Sequence, residues 1–207
     1  MDAFALFGNR DSGHAYKVRL MLSLSGLPHA YTEIDLDLPR EQRPEPFRSL
    51  AKYGEVPLLL HNGRPYVQSN AILLHLAGYT GRFGGESGER MERVREWLFW
   101  EANRVGFSLA NLRYGQKYLP AGAASDGQAM LRERFNADIA LLDAQLADGR
   151  AFILDDVPSV ADISLCGYMY WPEQAAVSMP AQVQAWLDRI SALPGWRHPY
   201  DGAIPNA

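Results

Sequence analysis

Ser12 lies at a junction between a predicted strand and a predicted helix, a position at which open α/β sheets bind ligands. The preceding segment, Ala3 to Phe7, is short and apolar, which is typical of a strand buried on both faces. From His14 to Ser25 the apolar residues recur at helical spacing, so Ser12 should lie at the start of a helix. Its hydroxyl could donate a hydrogen bond to a bound group, or it could only cap the helix.

Gln68 and Ser69 form a second candidate site, just before the helical run Ala71 to Ala77. Ser69 is predicted to be the N-cap of this helix, whose first residues present free N–H groups and a partial positive charge. An anion would bind there. The alternative is that Ser69 caps the helix and contacts no ligand.

A predicted hairpin leads into this second site. Leu58 to Leu60 is strand-like, Asn62-Gly63 suits a tight turn, and residues 66–67 should return antiparallel. Pro57 cannot donate a ladder hydrogen bond, so backbone groups beside it are free to pair with a ligand. Pro57 could also simply end a loop.

The elements that position these residues form an α/β unit. Ala30 to Leu36 alternates in polarity, which predicts a half-buried strand with Thr32, Ile34 and Leu36 on one face and the residues between them on the other. A crossover between adjacent parallel strands is right-handed, which places the Ser12 turn at the carboxyl end of the first strand.

The second half of the chain is predicted to be all helical. Five glycines between 78 and 88 break both periodicities and mark a connection, with a boundary near residue 82. From Glu89 onward apolar residues recur at helical spacing. Ser159 and Asp162 fit a capping box at the start of a buried helix, which is a structural role.

Composition excludes several classes of function. A net charge of -4 and the lack of a long basic run give no footprint for nucleic acid, and no membrane is implied. The single cysteine, Cys166, rules out an internal disulfide or a cysteine-based zinc cluster and is expected to be an inert core thiol. Because no signal peptide opens the sequence, a cytoplasmic location is expected.

Four signals occur together in an order and spacing that resemble one family. These are the strand, helix, strand unit, the Ser-Gly-x-x-Tyr-Lys-Val-Arg-Leu run at 12–20, the Gly-x-Val-Pro-x-Leu segment at 54–59, and Gln68-Ser69 before a helix. Together they resemble the bacterial, serine-type cytosolic glutathione transferases. The resemblance implies a thioredoxin-like α/β domain over 1–80, a linker over 81–88 and an all-α domain over 89–207.

The resemblance also implies a role for each residue of the glutathione site. Val56 would pair through its backbone with the cysteinyl part of glutathione, with Pro57 in the cis form. Gln68 and Ser69 would hold the γ-glutamyl group, and His14 would touch the ligand. Most relatives carry Glu where this chain has Gln68, and the amide brings no negative charge for the γ-glutamyl ammonium.

Ser12 matches the catalytic serine of the family, and its hydroxyl would donate a hydrogen bond to the glutathione thiolate. His14 and Asn9 are the competitors for contact with sulfur. Tyrosine-type members use a tyrosine near the end of the first strand, where this chain has Phe7. Redox members place cysteine near the position of Ser12, and residues 12–15 contain none.

The expected second substrate is a small hydrophobic electrophile, bound between the domains. Four residues are expected to wall its pocket: Phe107, Arg113, Tyr114 and Trp171. The resemblance further implies a homodimer, with glutathione as co-substrate and no metal. Two alternatives stay open: a glutathione-dependent reductase, peroxidase or isomerase on the same site, and a non-catalytic glutathione-binding or scaffold protein.

Overall fold

The computed structural model describes residues 3–119 and 126–201 of the chain. A four-stranded sheet and three helices come first, and five further helices follow. The strands are β1 (Phe4–Gly8), β2 (His29–Glu33), β3 (Leu58–His61) and β4 (Arg64–Val67). The helices are α1 (Gly13–Leu24), α2 (Phe47–Leu50), α3 (Ser69–Thr80), α4 (Gly88–Asn103), α5 (Val105–Tyr118), α6 (Asp126–Leu146), α7 (Val160–Leu165) and α8 (Ala181–Ser191).

The sheet has the order β2-β1-β3-β4. β1 pairs in parallel with β2 and antiparallel with β3, and β4 completes the predicted hairpin at the edge. β1 is central, and its Leu6 and Phe7 are buried on opposite faces, as its continuous apolar sequence indicates. Pro65 lies in the edge strand, where its missing N–H costs no ladder hydrogen bond.

The second strand is shorter at its carboxyl end than the alternation over residues 30–36 predicts. β2 ends at Glu33, and Thr32 is exposed while Tyr31 and Glu33 are half-buried. The turn after β1 holds the chain just beyond this strand, because Asn9 Nδ2 donates to the Ile34 carbonyl at 2.9 Å. Within the strand, the Glu33 carboxylate accepts from the Tyr31 hydroxyl at 2.9 Å. Ile34 is buried beyond the strand, and Leu36 is 38% exposed.

The second half is helical, as predicted. Its core is continuous with one side of the sheet, because α1 and α3 pack against α7 and the 3-10 turn Cys166–Tyr168 that follows it. Cys166 lies in this core, and burial raises the pKa of its thiol well above the usual range. The segment between α3 and α4 spans 81–87. Across the described ranges, no helix combines the length and the apolar character needed to cross a membrane.

Candidate active site

Ser12 is the N-cap of α1, immediately after the β1 turn. Its Oγ accepts a hydrogen bond from the Ala15 amide at 3.1 Å. Because that bond uses the oxygen as an acceptor, the hydroxyl proton is left for another partner. The Asn9 side chain has a different role. It donates to the Ile34 carbonyl and accepts from the Asp11 amide, both at 2.9 Å, and so stabilises the turn.

A cleft of about 580 Å³ opens beside Ser12. The predicted glutathione residues all line it together with Ser12: His14, Val56, Pro57, Gln68 and Ser69. The Val56–Pro57 peptide bond is cis. Sequence-distant turns after β1, before β3 and after β4 therefore meet in one concave site.

The start of α3 differs by one residue from the expectation. The N-cap is Gln68, with a φ of 68°, and Ser69 is already the first helical residue. The positive φ turns the chain so that the Gln68 carbonyl accepts from the Ile72 amide at 2.9 Å. Ser69 is thus not the cap, and its Oγ lies 3.5 Å from His14 Nδ1. The first N–H groups of α3 still open at the cleft, since Gln68, Ser69 and Asn70 line it.

His14 sits above a buried ion pair. Lys17 Nζ lies 2.5 Å from Glu101 Oε1, and both side chains are almost fully buried. Burial and, to a smaller extent, the charge of the neighbouring Lys17 lower the pKa of His14 to about 4, while Glu101 opposes the shift. The imidazole is therefore neutral at neutral pH.

A second cleft, of about 400 Å³, shares Ser12 with the first. Arg113 and Tyr114, two of the four residues predicted for the second-substrate pocket, line it. Phe107 and Trp171 are not among its lining residues. Phe107 is 49% exposed elsewhere on α5, and Trp171 is 1% exposed, with its ring centroid 4.3 Å from the Arg113 guanidinium carbon.

The walls of this second cleft carry charged groups of both signs beside three tyrosine rings. Asp11 contacts Arg113 at 3.2 Å and Lys117 at 2.9 Å, and Asp35 and Asp37 also line the space. Burial acts to raise the pKa of Asp11, but hydrogen bonds from Lys117 and Tyr200 and the charges of Lys117 and Arg113 outweigh it, so the pKa is lowered. A ligand bound in the second cleft would contact both acidic and basic side chains.

Tyr168 is the main site residue that sequence reasoning missed. It lines the second cleft, and its ring makes an edge contact with His14 at a centroid distance of 5.1 Å. Burial raises the pKa of Tyr168, while hydrogen bonding from the Ser12 side chain opposes the rise. Gly13 was the available signal, since a Cβ there would lie 2.5 Å from the Tyr168 ring.

Comparisons with known proteins agree with this geometry. The family described as "Glutathione S-transferase, N-terminal domain" matches residues 11–78. A glutathione S-transferase structure from Xanthobacter autotrophicus Py2 is 30% identical, covers 94% of this chain and 96% of that chain, and has a TM-score of 0.82. Another from Pseudomonas fluorescens Pf-5 is 28% identical, covers 96% and 99%, and has a TM-score of 0.85. The disulfide-bond oxidoreductase YfcG of Escherichia coli is 26% identical over 91% of this chain and 89% of its own length.

The chain belongs to the glutathione S-transferase family. The likeness extends over nearly the whole length, so it includes the helical half as well as the sheet. Membership supports glutathione-transferase activity in general. The names of the relatives include both transferases and a disulfide oxidoreductase, which makes the second substrate the point to resolve.

Proposed function

We propose that this protein conjugates glutathione to an electrophile and that Ser12 stabilises the glutathione thiolate. The observation that carries the proposal is the single cleft in which Ser12, the cis Val56–Pro57 bond and the start of α3 meet. Glutathione would lie across it, with the cysteinyl backbone at Val56 and the γ-glutamyl group at Gln68 and Ser69.

One hydroxyl at a helix start can supply the free energy that thiolate formation requires. A free thiol has a pKa of about 8.5, and lowering it by about 2 units needs about 2.7 kcal/mol of preferential thiolate binding. One hydrogen bond to a charged group contributes about 1.5–3 kcal/mol, and a helix N-terminus adds about 0.3–1 kcal/mol. Ser12 at the start of α1 offers both. The thiolate would then form a carbon–sulfur bond as the leaving group departs, and the thiol proton would pass to solvent.

The test is a titration of thiolate ultraviolet absorbance for glutathione bound to the wild type and to Ser12→Ala. We expect a lowered thiol pKa that the variant loses, with conjugation of an aryl halide falling roughly ten- to a thousand-fold. Ser25→Ala, at the other end of α1, is the matched control and should behave as wild type. If Ser12→Ala keeps the lowered thiol pKa, the stabilising role moves to another group.

A second candidate function is reduction of a disulfide by glutathione. The acidic and basic groups in the second cleft support it, because they can pair with the polar groups of a peptide disulfide. The thiolate would attack one sulfur, form a mixed disulfide and release the other sulfur as a thiolate. A second glutathione would then complete the exchange, yielding oxidised glutathione. Parallel assays with an aryl halide and with a model disulfide decide between the two reactions.

The assembly and location follow from the family resemblance. We propose a homodimer acting in the cytoplasm, with glutathione and a small electrophile as ligands and no nucleic-acid partner. Light scattering coupled to size-exclusion chromatography would measure the mass in solution, and about twice 23.1 kDa is expected.

A further inference from the structure

Two carboxylates line the cleft beside Ser69, and they differ in what surrounds them. Glu101 is 2% exposed and is already neutralised by Lys17. Its second oxygen, Oε2, accepts from Asn70 Nδ2 at 3.0 Å and from Ser164 Oγ at 3.1 Å. The charge of Glu101 is therefore compensated within the protein, and its carboxylate already has three protein partners.

Glu55 is the other carboxylate, and it is exposed at the cleft. Its Oε2 lies 3.3 Å from Gln68 Nε2, a neutral donor. Among the residues that the structure describes, no cationic side chain is within ion-pair distance of it. Glu55 therefore keeps its negative charge available to a ligand, next to the first turn of α3.

The loop that carries Glu55 is held rigidly. Arg43 donates to the carbonyls of Gly54 at 2.6 Å and Leu36 at 3.1 Å. Arg40 donates to the Ala51 carbonyl at 3.0 Å. Three backbone carbonyls that would otherwise need solvent are thus fixed by guanidinium groups, which pre-organises the approach to the cis Val56–Pro57 bond.

The γ-glutamyl end of glutathione is an amino-acid head, with a carboxylate and an ammonium on the same carbon. The free N–H groups at the start of α3 suit the carboxylate. The ammonium beside it needs a negative partner, and the neutral Gln68 amide cannot be one. We propose that Glu55 binds the γ-glutamyl ammonium and that Gln68 orients the Glu55 carboxylate, an inference that rests on the proposed glutathione site.

The test measures binding of two ligands by calorimetry: glutathione, and glutaryl-cysteinyl-glycine, which lacks only the amino group. The wild type should prefer glutathione. Glu55→Gln should weaken glutathione about tenfold and leave the analogue unchanged, because an exposed charge-assisted pair is worth about one such factor. Glu41→Gln, an exposed glutamate outside the cleft lining, is the matched control and should change neither affinity.

An exchanged variant sharpens the result. Glu55→Gln combined with Gln68→Glu returns one carboxylate to the same contact, and it should recover most of the preference for glutathione over the analogue. If Glu55→Gln weakens both ligands equally, or neither, the assignment of Glu55 is wrong. If the wild type binds no glutathione at millimolar concentration, the proposed function itself fails, and the two failures are therefore distinguishable.

Discussion

At the scale of single residues, Ser12 combines two tasks that depend on different atoms. Its oxygen accepts the Ala15 amide and so closes the first turn of α1, which leaves its proton for a second partner, either the Tyr168 hydroxyl or a bound ligand. Accepting a hydrogen bond polarises the hydroxyl and makes it a better donor. The structural role and the proposed chemical role of Ser12 therefore support each other, rather than being alternatives between which one has to choose.

His14 gives the residue-scale prediction, which concerns pH and stability. Its pKa is about 4 in the folded protein against an ordinary value of 6.5, so the unfolded chain binds more protons between these values. The contribution of His14 to the free energy of unfolding should thus be fully present above pH 6.5 and fall as the pH drops toward 4. His14→Gln removes the titration, so its free energy of unfolding in urea should fall less between pH 7 and pH 5 than that of the wild type.

Two outcomes would oppose this account of His14. His29→Gln removes a histidine from the sheet edge outside the first cleft, and it serves as the control for loss of one imidazole. An equal pH slope in the wild type and His14→Gln would show that His14 does not titrate as the burial indicates. A conjugation rate that changes its pH dependence above pH 6 in His14→Gln would assign the histidine a role in proton transfer.

At the scale of elements, Asp162 does more than complete a capping box. It accepts from the Ser159 amide, as predicted, and also from the Ser159 hydroxyl, the Ile153 amide and Trp186 Nε1, all at 2.8 Å. It therefore joins the start of α7 to the preceding loop and to α8. A sequence pattern reveals the first pair, since both residues lie within one turn, but not the other two.

We expect Asp162→Asn to destabilise the protein by about 2–4 kcal/mol, more than the loss of a cap alone, because buried donors lose their acceptors. Urea unfolding monitored by tryptophan fluorescence and by circular dichroism would measure it. Asp148→Asn, an exposed aspartate next to the loop, should change the free energy of unfolding by less than about 0.5 kcal/mol. A cost for Asp162→Asn no larger than that would show that the four contacts contribute little.

The difference between contacts within one turn and contacts between distant segments also explains what could be predicted of the candidate site. Ser12, Val56-Pro57 and Ser69 each lie at an element boundary with its own local signal, and the structure brings them to one cleft. Tyr168 could not be found this way, because only the packing of its 3-10 turn onto Gly13 places it beside Ser12. The early end of β2 likewise depends on contacts from the distant Asn9 turn.

At the scale of the whole molecule, a buried ion pair connects the two halves beneath the first cleft. Lys17 belongs to α1 and Glu101 to α4, and 84 residues separate them along the chain. Burial raises the pKa of Glu101, but the charge of Lys17 and its hydrogen bond outweigh this, so the pKa stays below its usual value. A ligand bound between Ser12 and Ser69 would therefore lie above an ion pair to which both halves contribute a residue.

Lys17→Met should destabilise the protein by about 3–5 kcal/mol, because it leaves the Glu101 carboxylate buried without its partner. The double variant Lys17→Met with Glu101→Gln should recover a large part of that loss, since a neutral amide can still bond Asn70 and Ser164. Urea unfolding of both variants measures the difference. If the double variant is no more stable than Lys17→Met, the cost lies in the packing of the lysine side chain, and the two halves are joined by apolar contact rather than by this pair.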